Sequence, residues 1–232
     1  VFMWDCGLPQ HPAPPWNYCL TFSIEGLTNE YFGDCLYIRD GKTARVPALE
    51  ELEVIDFPKP IGPLEAFTTS GGLTTAALTY AGKVRTLQNK TLRYPGSFAQ
   101  LKTIQQLGLL GLDPVRVDGQ SIIPRHVLHA LWDPQIRAAP HTRDLIIIRI
   151  LALGVRGGRQ SEIKVDLIHR YDEKTGFTAM ERCTGWSAAI VAEMTAGGRT
   201  PRGAGRVETQ VPARPFVEEL RRRGIEVTEQ VT

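Results

Sequence analysis

Two long apolar segments joined by a glycine turn determine the fold class of this chain. Residues 144–152 and 162–171 are rich in isoleucine, leucine and valine, which favour extended strands. Between them stands Arg156-Gly157-Gly158-Arg159, and adjacent glycines accommodate the positive φ angles of a tight hairpin turn. A second hairpin is predicted at 36–46, where Asp40-Gly41 suits a type I′ turn. Much of the sheet is therefore antiparallel.

The remaining elements mix strands and helices. The proline-rich stretch 9–15 is predicted to be an extended linker. Ser97 is expected to cap a helix, with Gln100 in capping-box spacing, and the next helix is expected to stop before Pro134. We predict strands at 18–24, 52–57, 64–69 and 83–94, and helices at 25–32, 74–80, 97–107, 124–131, 178–196 and 215–223. The fold class that follows is α+β, with a mixed, largely antiparallel sheet covered by helices on one face.

Bulk composition argues against several functional classes. The chain has 232 residues, 42% of them hydrophobic, and a formal net charge of +2, which gives no sign of nucleic-acid or membrane binding. The longest apolar run, 145–154, is too short to span a bilayer. His126 and His129 could share a helix face, but two ligands cannot complete a zinc site, so no metal is expected. A reducing cytoplasm suits the four scattered thiols, Cys6, Cys19, Cys35 and Cys183.

The candidate binding site lies where two predicted strands end. One strand runs into the turn Ser70-Gly71-Gly72, and another ends at Arg93, just before Pro95-Gly96. An arginine at such a place can form two parallel hydrogen bonds to a carboxylate, and glycines let a ligand approach the backbone. We predict a pocket for an amino-acid-like anion. The alternatives are that Arg93 forms a structural ion pair or caps the next helix, and that the glycines form an ordinary turn.

Three further residues are candidates for the same pocket. Tyr18 and Tyr94 could form its wall or donate a hydroxyl group, although both could equally be core aromatics. Glu65 could neutralise a substrate ammonium, or could pair with a basic residue on the neighbouring strand. No catalytic acid or base is identified.

Four motifs in order resemble the saccharopine dehydrogenase and lysine 6-dehydrogenase family. They are Gly7-Leu8-Pro9, Asn17-Tyr18 leading into 20–23, Thr91-Leu-Arg-Tyr-Pro-Gly96, and Thr184-Gly185-Trp186 followed by 188–190. The resemblance covers nearly the whole chain but only half of a family enzyme. It supports Arg93 as a substrate carboxylate ligand. The lysine-metabolising branch often has histidine after the Arg-Tyr-Pro-Gly motif, whereas this chain has Ser97.

The resemblance implies an organisation and a function. Residues 1–176 would form a substrate-binding and dimerisation domain, and residues 177–232 a helical segment that completes a nucleotide-binding domain absent from this chain. The intact enzyme would use NAD or NADP to oxidise or reduce a C–N bond of a lysine-derived amino acid, and would be a homodimer. Gly203-x-Gly205-x-x-Glu208 lacks the third glycine of a dinucleotide motif, so this chain is expected to bind no cofactor. The alternative is a non-catalytic binding or dimerisation module with the same fold.

Overall fold

The computed structural model describes residues 1–73, 75–140 and 142–232, and contains eleven strands and seven helices within them. The strands are β1 (Phe2–Pro9), β2 (Asp34–Arg39), β3 (Lys42–Pro47), β4 (Glu53–Phe57), β5 (Gly62–Thr68), β6 (Gln88–Arg93), β7 (Val115–Val117), β8 (Gln120–Ile122), β9 (Asp144–Arg156), β10 (Arg159–Arg170) and β11 (Thr228–Val231). The helices are α1 (Ile24–Glu30), α2 (Ala76–Tyr80), α3 (Ser97–Gln106), α4 (Pro124–Ile136), α5 (Ala179–Ala196), α6 (Val207–Gln210) and α7 (Ala213–Arg222).

Seven strands form one mixed sheet in the order β11-β10-β9-β1-β6-β5-β4. Strand β1 lies at its centre, parallel to β6 and antiparallel to β9, and the other pairs are antiparallel. The hairpins β2-β3 and β7-β8 stand outside this sheet. The α+β class and the predicted hairpins at 36–46 and 144–171 are therefore confirmed, with β9 and β10 longer than expected.

Two groups of helices cover the same face of the sheet. At one end α5 and α7 pack on β9 and β10 around Ile146, Leu167, Ile190 and Leu220. At the other end α1, α3 and α4 surround Phe67 on β5, together with Trp132 and other apolar residues. The opposite face buries a separate cluster that includes Leu64, Leu92 and Ile147. A groove remains between the two helical groups, above β1 and β6.

Helix α5 is fixed at its N-terminus by two carboxylates. Thr178 and Glu181 form a capping box, in which each side chain accepts a hydrogen bond from the other residue's backbone N–H. The buried carboxylate of Asp144 accepts further bonds from the N–H groups of Ala179 (2.6 Å) and Met180 (2.9 Å). The N-terminus of helix α5 is therefore bound to Asp144, the first residue of β9.

Residues 177–232 share a hydrophobic cluster with strands of the predicted 1–176 domain.

Several local predictions are wrong. Residues 18–24 contain no strand, only a single bridge between Leu20 and Arg137 followed by the start of α1. The proline-rich linker was placed too early, because β1 continues through Pro9. Helix α4 continues through Pro134, because Trp132 and Ile136 are buried in the core and hold its last turn. The predicted helix at 74–80 is observed as α2, and its first position lies outside the described residues.

The predicted capping box of α3 is also absent. Gly96 occupies the N-cap position with φ of +95°, and Ser97 is the first helical residue. A carboxylate from the neighbouring strand takes the capping role instead. Glu65 accepts hydrogen bonds from the N–H groups of Gly96 and Phe98, each at 2.8 Å. This is possible because Glu65 pairs with Arg93 in the sheet, one turn before the helix begins.

Candidate functional site

The candidate site begins with a row of polar side chains at the centre of the sheet. Asp5 on β1 lies opposite Thr91 on β6. Because side chains alternate along a strand, Asn89, Thr91 and Arg93 share one face of β6. The Asn89 amide donates to Oδ2 of Asp5 at 3.0 Å, which joins the two strands through their side chains. Polar groups thus occupy the part of the helical face that α5 and α1 leave open.

Arg93 is held on all sides by protein partners. Its Nε and Nη2 atoms donate to the Tyr31 hydroxyl at 3.1 and 2.9 Å, and Nη1 donates to Thr91 Oγ1 and the Leu92 carbonyl. The longest polar contact is the ion pair with Glu30, at 3.6 Å. The residue is only 4% exposed. Its guanidinium is therefore oriented rigidly, and Glu30 is the partner most easily displaced.

Tyrosine rings frame the same guanidinium. The Arg93 carbon Cζ lies 5.0 Å from the centre of the Tyr18 ring and 5.8 Å from that of Tyr31, within the range of cation–π attraction. Burial raises the pKa of Tyr31 to about 12, although the charge of Arg93 opposes the shift. Burial also raises the pKa of Tyr18, so both tyrosines stay neutral and act as hydrogen-bonding or aromatic groups.

Two carboxyl groups face this arginine. Burial raises the pKa of Asp5, and the Asn89 hydrogen bond and the Arg93 charge offset the shift only in part. Burial likewise raises the pKa of Glu30; Arg93 works against that shift and the charge of Asp5 adds to it. Two acids that share one guanidinium repel each other. A cation placed between them would therefore be stabilised.

Two adjoining cavities open onto these groups. The first, of about 410 Å³, is lined by Asp5, Asn29, Glu30, Asn89 and the turn at 69–72. The second, of about 300 Å³, is lined by Tyr18, Arg93, Met180 and other residues. Asp5, Glu30 and Thr91 line both. The two cavities therefore form one cleft, with the carboxylates in the middle and the arginine at one end.

The structure brings together most of the residues predicted for the site. Ser70, Gly71 and Gly72 line the first cavity, and Tyr18 and Arg93 line the second. The Tyr94 hydroxyl donates to the Pro9 carbonyl at 2.8 Å, and Glu65 caps α3. Neither of these two is among the described lining residues of the cleft.

Sequence reasoning missed Asp5, Glu30 and Asn89. Strand β1 was not predicted, so Asp5 could not be assigned to the sheet or to the site. A usable signal was present in β6, where the run Gln88-Asn-Lys-Thr-Leu-Arg93 is buried at every position. A strand so polar can be buried only if its side chains find polar partners. Two of those partners are among the missed residues: Asp5 binds Asn89, and Glu30 pairs with Arg93.

The described residues can be compared with the requirements of a metal site and of a dinucleotide turn. In the part of the chain that the structure describes, no three His, Cys, Asp or Glu side chains are grouped to hold a metal ion. Gly203 and Gly205 lie in the loop between α5 and α6, so a helix precedes them, whereas a dinucleotide turn follows a strand. No helix among the described residues is long and apolar enough to cross a membrane.

Comparison with known proteins gives the family. The sequence model of the saccharopine dehydrogenase C-terminal domain matches residues 1–225. Apo saccharopine dehydrogenase (L-Glu forming) from Saccharomyces cerevisiae superposes on all of this chain with a TM-score of 0.72 and 18% sequence identity, and 66% of the yeast chain is covered. This chain thus spans slightly less than two thirds of that structure, and the likeness shows the shared fold. On the match over residues 1–225, the chain belongs to the saccharopine dehydrogenase C-terminal domain family.

Proposed function

We propose that this chain is the substrate-binding part of an NAD(P)-dependent oxidoreductase that acts on a C–N bond of a lysine-derived amino acid. The observation that carries the proposal is the cleft in which one buried guanidinium lies beside two carboxyl groups. This arrangement complements the carboxylate and ammonium of an amino acid. Family membership supports the reaction class.

Binding would exchange one ion pair for two. The substrate carboxylate would replace Glu30 at Nη2 of Arg93, because that contact is the longest at 3.6 Å. Glu30, released from the arginine, would then turn with Asp5 toward the substrate ammonium. Tyr31 and Thr91 would keep the guanidinium in place through their hydrogen bonds. The cost of breaking the Glu30 pair would be offset by the new charge-assisted bonds.

The chain's own residues would also handle a proton. An amine must lose its ammonium proton before it can give up hydride, and a carboxylate with a raised pKa is a competent acceptor. Asp5 and Glu30 both have this property. The hydride chemistry itself would belong to the nicotinamide, held by another domain of the intact enzyme.

A cellular location and an oligomeric state are proposed from the cysteines and from the exposed end of the β9-β10 hairpin. Four unpaired cysteines support a cytoplasmic location. A homodimer is proposed through the far end of the β9-β10 hairpin, where Leu153 and Val155 are exposed, since closed two-fold pairing is the commonest way to cover such a surface. The alternative function is a non-catalytic binding or dimerisation module with the same fold.

Calorimetry with L-lysine and with its decarboxylated analogue, pentane-1,5-diamine, tests the site on the isolated chain. The amino acid should bind and the diamine should bind at least tenfold more weakly. Asp5→Asn should weaken L-lysine by roughly 10- to 100-fold, the value of a charge-assisted hydrogen bond. Glu162→Gln is a matched control, because that exposed residue lies on the distant hairpin. Equal binding of L-lysine to wild type and to Asp5→Asn would refute the proposed site.

A further inference from the structure

The end of helix α1 forms one wall of the first cavity, where Asn29 and Glu30 are its last two residues. The turn at 69–72 is attached to this wall through Ser70. Its hydroxyl donates to the Asn29 carbonyl at 2.5 Å, and its N–H donates to the Glu30 carbonyl at 2.8 Å. The Asn29 residue itself stays exposed, so a ligand in the cavity can reach its side chain.

The orientation of the Asn29 amide is fixed by Arg125, in the first turn of α4. Nη1 of Arg125 donates to Oδ1 of Asn29 at 2.7 Å. A guanidinium has donors and no acceptor, so it must face the amide oxygen, and a reversed amide would place two donors together. The NH2 group of Asn29 is therefore the end left for another partner. Residues 1–73, 75–140 and 142–232 supply none.

Arg125 is an unusual residue to bury. It is 4% exposed, its Nε donates to the Leu110 carbonyl at 2.8 Å, and its Cζ lies 4.6 Å from the centre of the Phe32 ring. Nη2 has no hydrogen-bond partner, and no carboxylate in the described ranges forms an ion pair with the guanidinium. Burial of a charge without a counter-ion costs free energy. The bond to Asn29 is the contact through which Arg125 acts on the cleft.

The Asn29 amide supplies a donor to a cavity whose charged lining groups are both acidic. These are Asp5 and Glu30, and the described lining residues include no lysine, no arginine and no chain terminus. Other donors there are already engaged, since the Asn89 amide binds Asp5 and the Ser70 hydroxyl binds a carbonyl. The Asn29 NH2 group stays available to a ligand that brings an acceptor.

We infer that Asn29 is a specificity-determining residue, whose amide donates to an oxygen acceptor on the arm of the amino-acid substrate, and that Arg125 is the positioning residue that orients this donor. The inference rests on the proposed function. A head held by Arg93 and Asp5 directs the arm into the first cavity, because Asp5 lines both cavities. A neutral carbonyl or a carboxylate oxygen accepts this hydrogen bond. The ε-ammonium of lysine, which only donates, does not.

Asn29→Asp separates this role from a structural one. The new carboxylate keeps an acceptor for Arg125 and supplies the counter-ion that the guanidinium lacks, so the fold is retained. The donor that faces the cavity becomes an acceptor. Gln120→Glu is the matched control, because it makes the same change from amide to acid at an exposed position of the β7-β8 hairpin, outside the cleft.

Calorimetry with three ligands reads out the change. Nε-acetyl-L-lysine and L-glutamine carry an amide carbonyl at long and at short reach, and L-lysine carries only a donor. At least one carbonyl ligand should bind Asn29→Asp about tenfold more weakly than the wild type, the value of one lost hydrogen bond. L-lysine should bind as well or more tightly. Gln120→Glu should change none of the three affinities.

The outcomes distinguish the inference from the function on which it rests. Unchanged binding of both carbonyl ligands to Asn29→Asp would overturn the inference while the amino-acid site stands. Equal weakening of all three ligands would also overturn it, because a structural role alone has that effect. Failure of every ligand to bind the wild type would overturn the proposed function, and the inference with it.

Two substitutions at Arg125 test the positioning role. Arg125→Met frees the Asn29 amide to turn, so the affinity for the stronger carbonyl ligand relative to L-lysine should fall by about threefold or more. Arg125→Lys keeps a donor for Oδ1 and should restore much of that ratio. The ratio compares two ligands on the same variant, so a general loss of stability does not alter it. An unchanged ratio in Arg125→Met would overturn the role of Arg125.

Discussion

Strands β6 and β9 lie on either side of β1. From their compositions one would expect β6 to be exposed and β9 to be buried. Strand β6 is polar at five of its six positions, yet all six are buried. Strand β9 is almost entirely apolar, yet its burial declines along its length until its last four residues are exposed. Polarity therefore does not decide burial in this sheet. The availability of partners does.

Each polar residue of β6 has a partner supplied by another element. Lys90 donates to the Glu51 carbonyl at 2.7 Å and pairs with Glu53 at 3.2 Å. Asn89 binds Asp5 on β1, and Arg93 binds Tyr31 after α1. The exposed end of β9 has no helix above it, because α5 covers only the first part of the strand. Buried polar groups with partners occupy the sheet centre, where the substrate site is proposed, whereas exposed apolar groups occupy the sheet margin, where the dimer interface is proposed.

The largest expected loss of stability comes from removing the Arg93 guanidinium from the hydrogen-bond network of β6. Arg93→Met would leave Tyr31 and Glu30 without their shared partner in a buried setting. Loss of one member of such a pair costs about 3–5 kcal/mol, and Arg93→Lys should recover little because it lacks the planar fork. Urea unfolding of each variant measures the loss. Arg159→Met, at the exposed first position of β10, should change stability by less than about 0.5 kcal/mol.

A smaller effect is expected in β9, and it should depend on position. Ile147→Ala removes a fully buried side chain and should cost about 3 kcal/mol through lost burial and the cavity left behind. Leu153 belongs to the same strand but is 55% exposed, so Leu153→Ala should cost no more than about 0.5 kcal/mol. Both values follow from the same denaturation experiment. Equal losses at the two positions would contradict the decline in burial along β9.

The contrast also shows what the sequence could predict. Strands β9 and β10, the Asp40-Gly41 hairpin and helix α5 were predictable because hydrophobic periodicity and turn residues are local signals. Strand β1 was not, because its pattern is neither alternating nor continuous: Asp5 and Gly7 interrupt the apolar positions for reasons that lie on other elements. At Gly7 an added Cβ would lie 2.5 Å from Cε of Met180 on α5, so a side chain there would force Met180 to shift. Long-range requirements of this kind leave no local signal.

Arg93 shows, within the site, the same difference between local features that the sequence predicts and long-range contacts that it does not. Its position at the end of a strand was predicted from Pro95-Gly96, and the structure places it in the cleft. Its pairing with Glu30 and Tyr31 could not be predicted, since those residues are 62 or more positions away in sequence. Glu65 was placed on the correct strand, but only the geometry of the sheet shows that it caps α3.

The exposed end of β9 should affect assembly more than stability. Leu153→Lys combined with Val155→Lys adds like charges to both copies of the proposed interface, so association should be lost while the fold is retained. Light scattering should report a dimer for the wild type and the 25.7 kDa monomer for the double variant. A wild-type chain that is already monomeric at micromolar concentration would rule out this interface.

The smallest expected effect is a pH dependence that comes from Asp5. Burial raises its pKa in the folded chain, whereas in the unfolded chain it titrates at the ordinary value near 3.8. Between the ordinary and the raised pKa the folded state binds more protons than the unfolded state, so the contribution of Asp5 to stability falls as pH rises through that window. Above the window the buried charge remains as a constant penalty.

Asp5→Asn removes this penalty and keeps an oxygen that can accept the Asn89 hydrogen bond. The variant should therefore be more stable than the wild type at pH 8, and the difference should shrink as the pH falls toward 4. Glu30 and His169 also titrate with shifted pKa values, so the test is the difference between the two proteins, in which those contributions largely cancel. Thermal unfolding from pH 4 to 8 measures it. A wild type more stable than Asp5→Asn at pH 8 would mean that Arg93 more than compensates the burial of this carboxylate, and that the polar centre of the sheet stabilises the fold instead of sacrificing stability for binding.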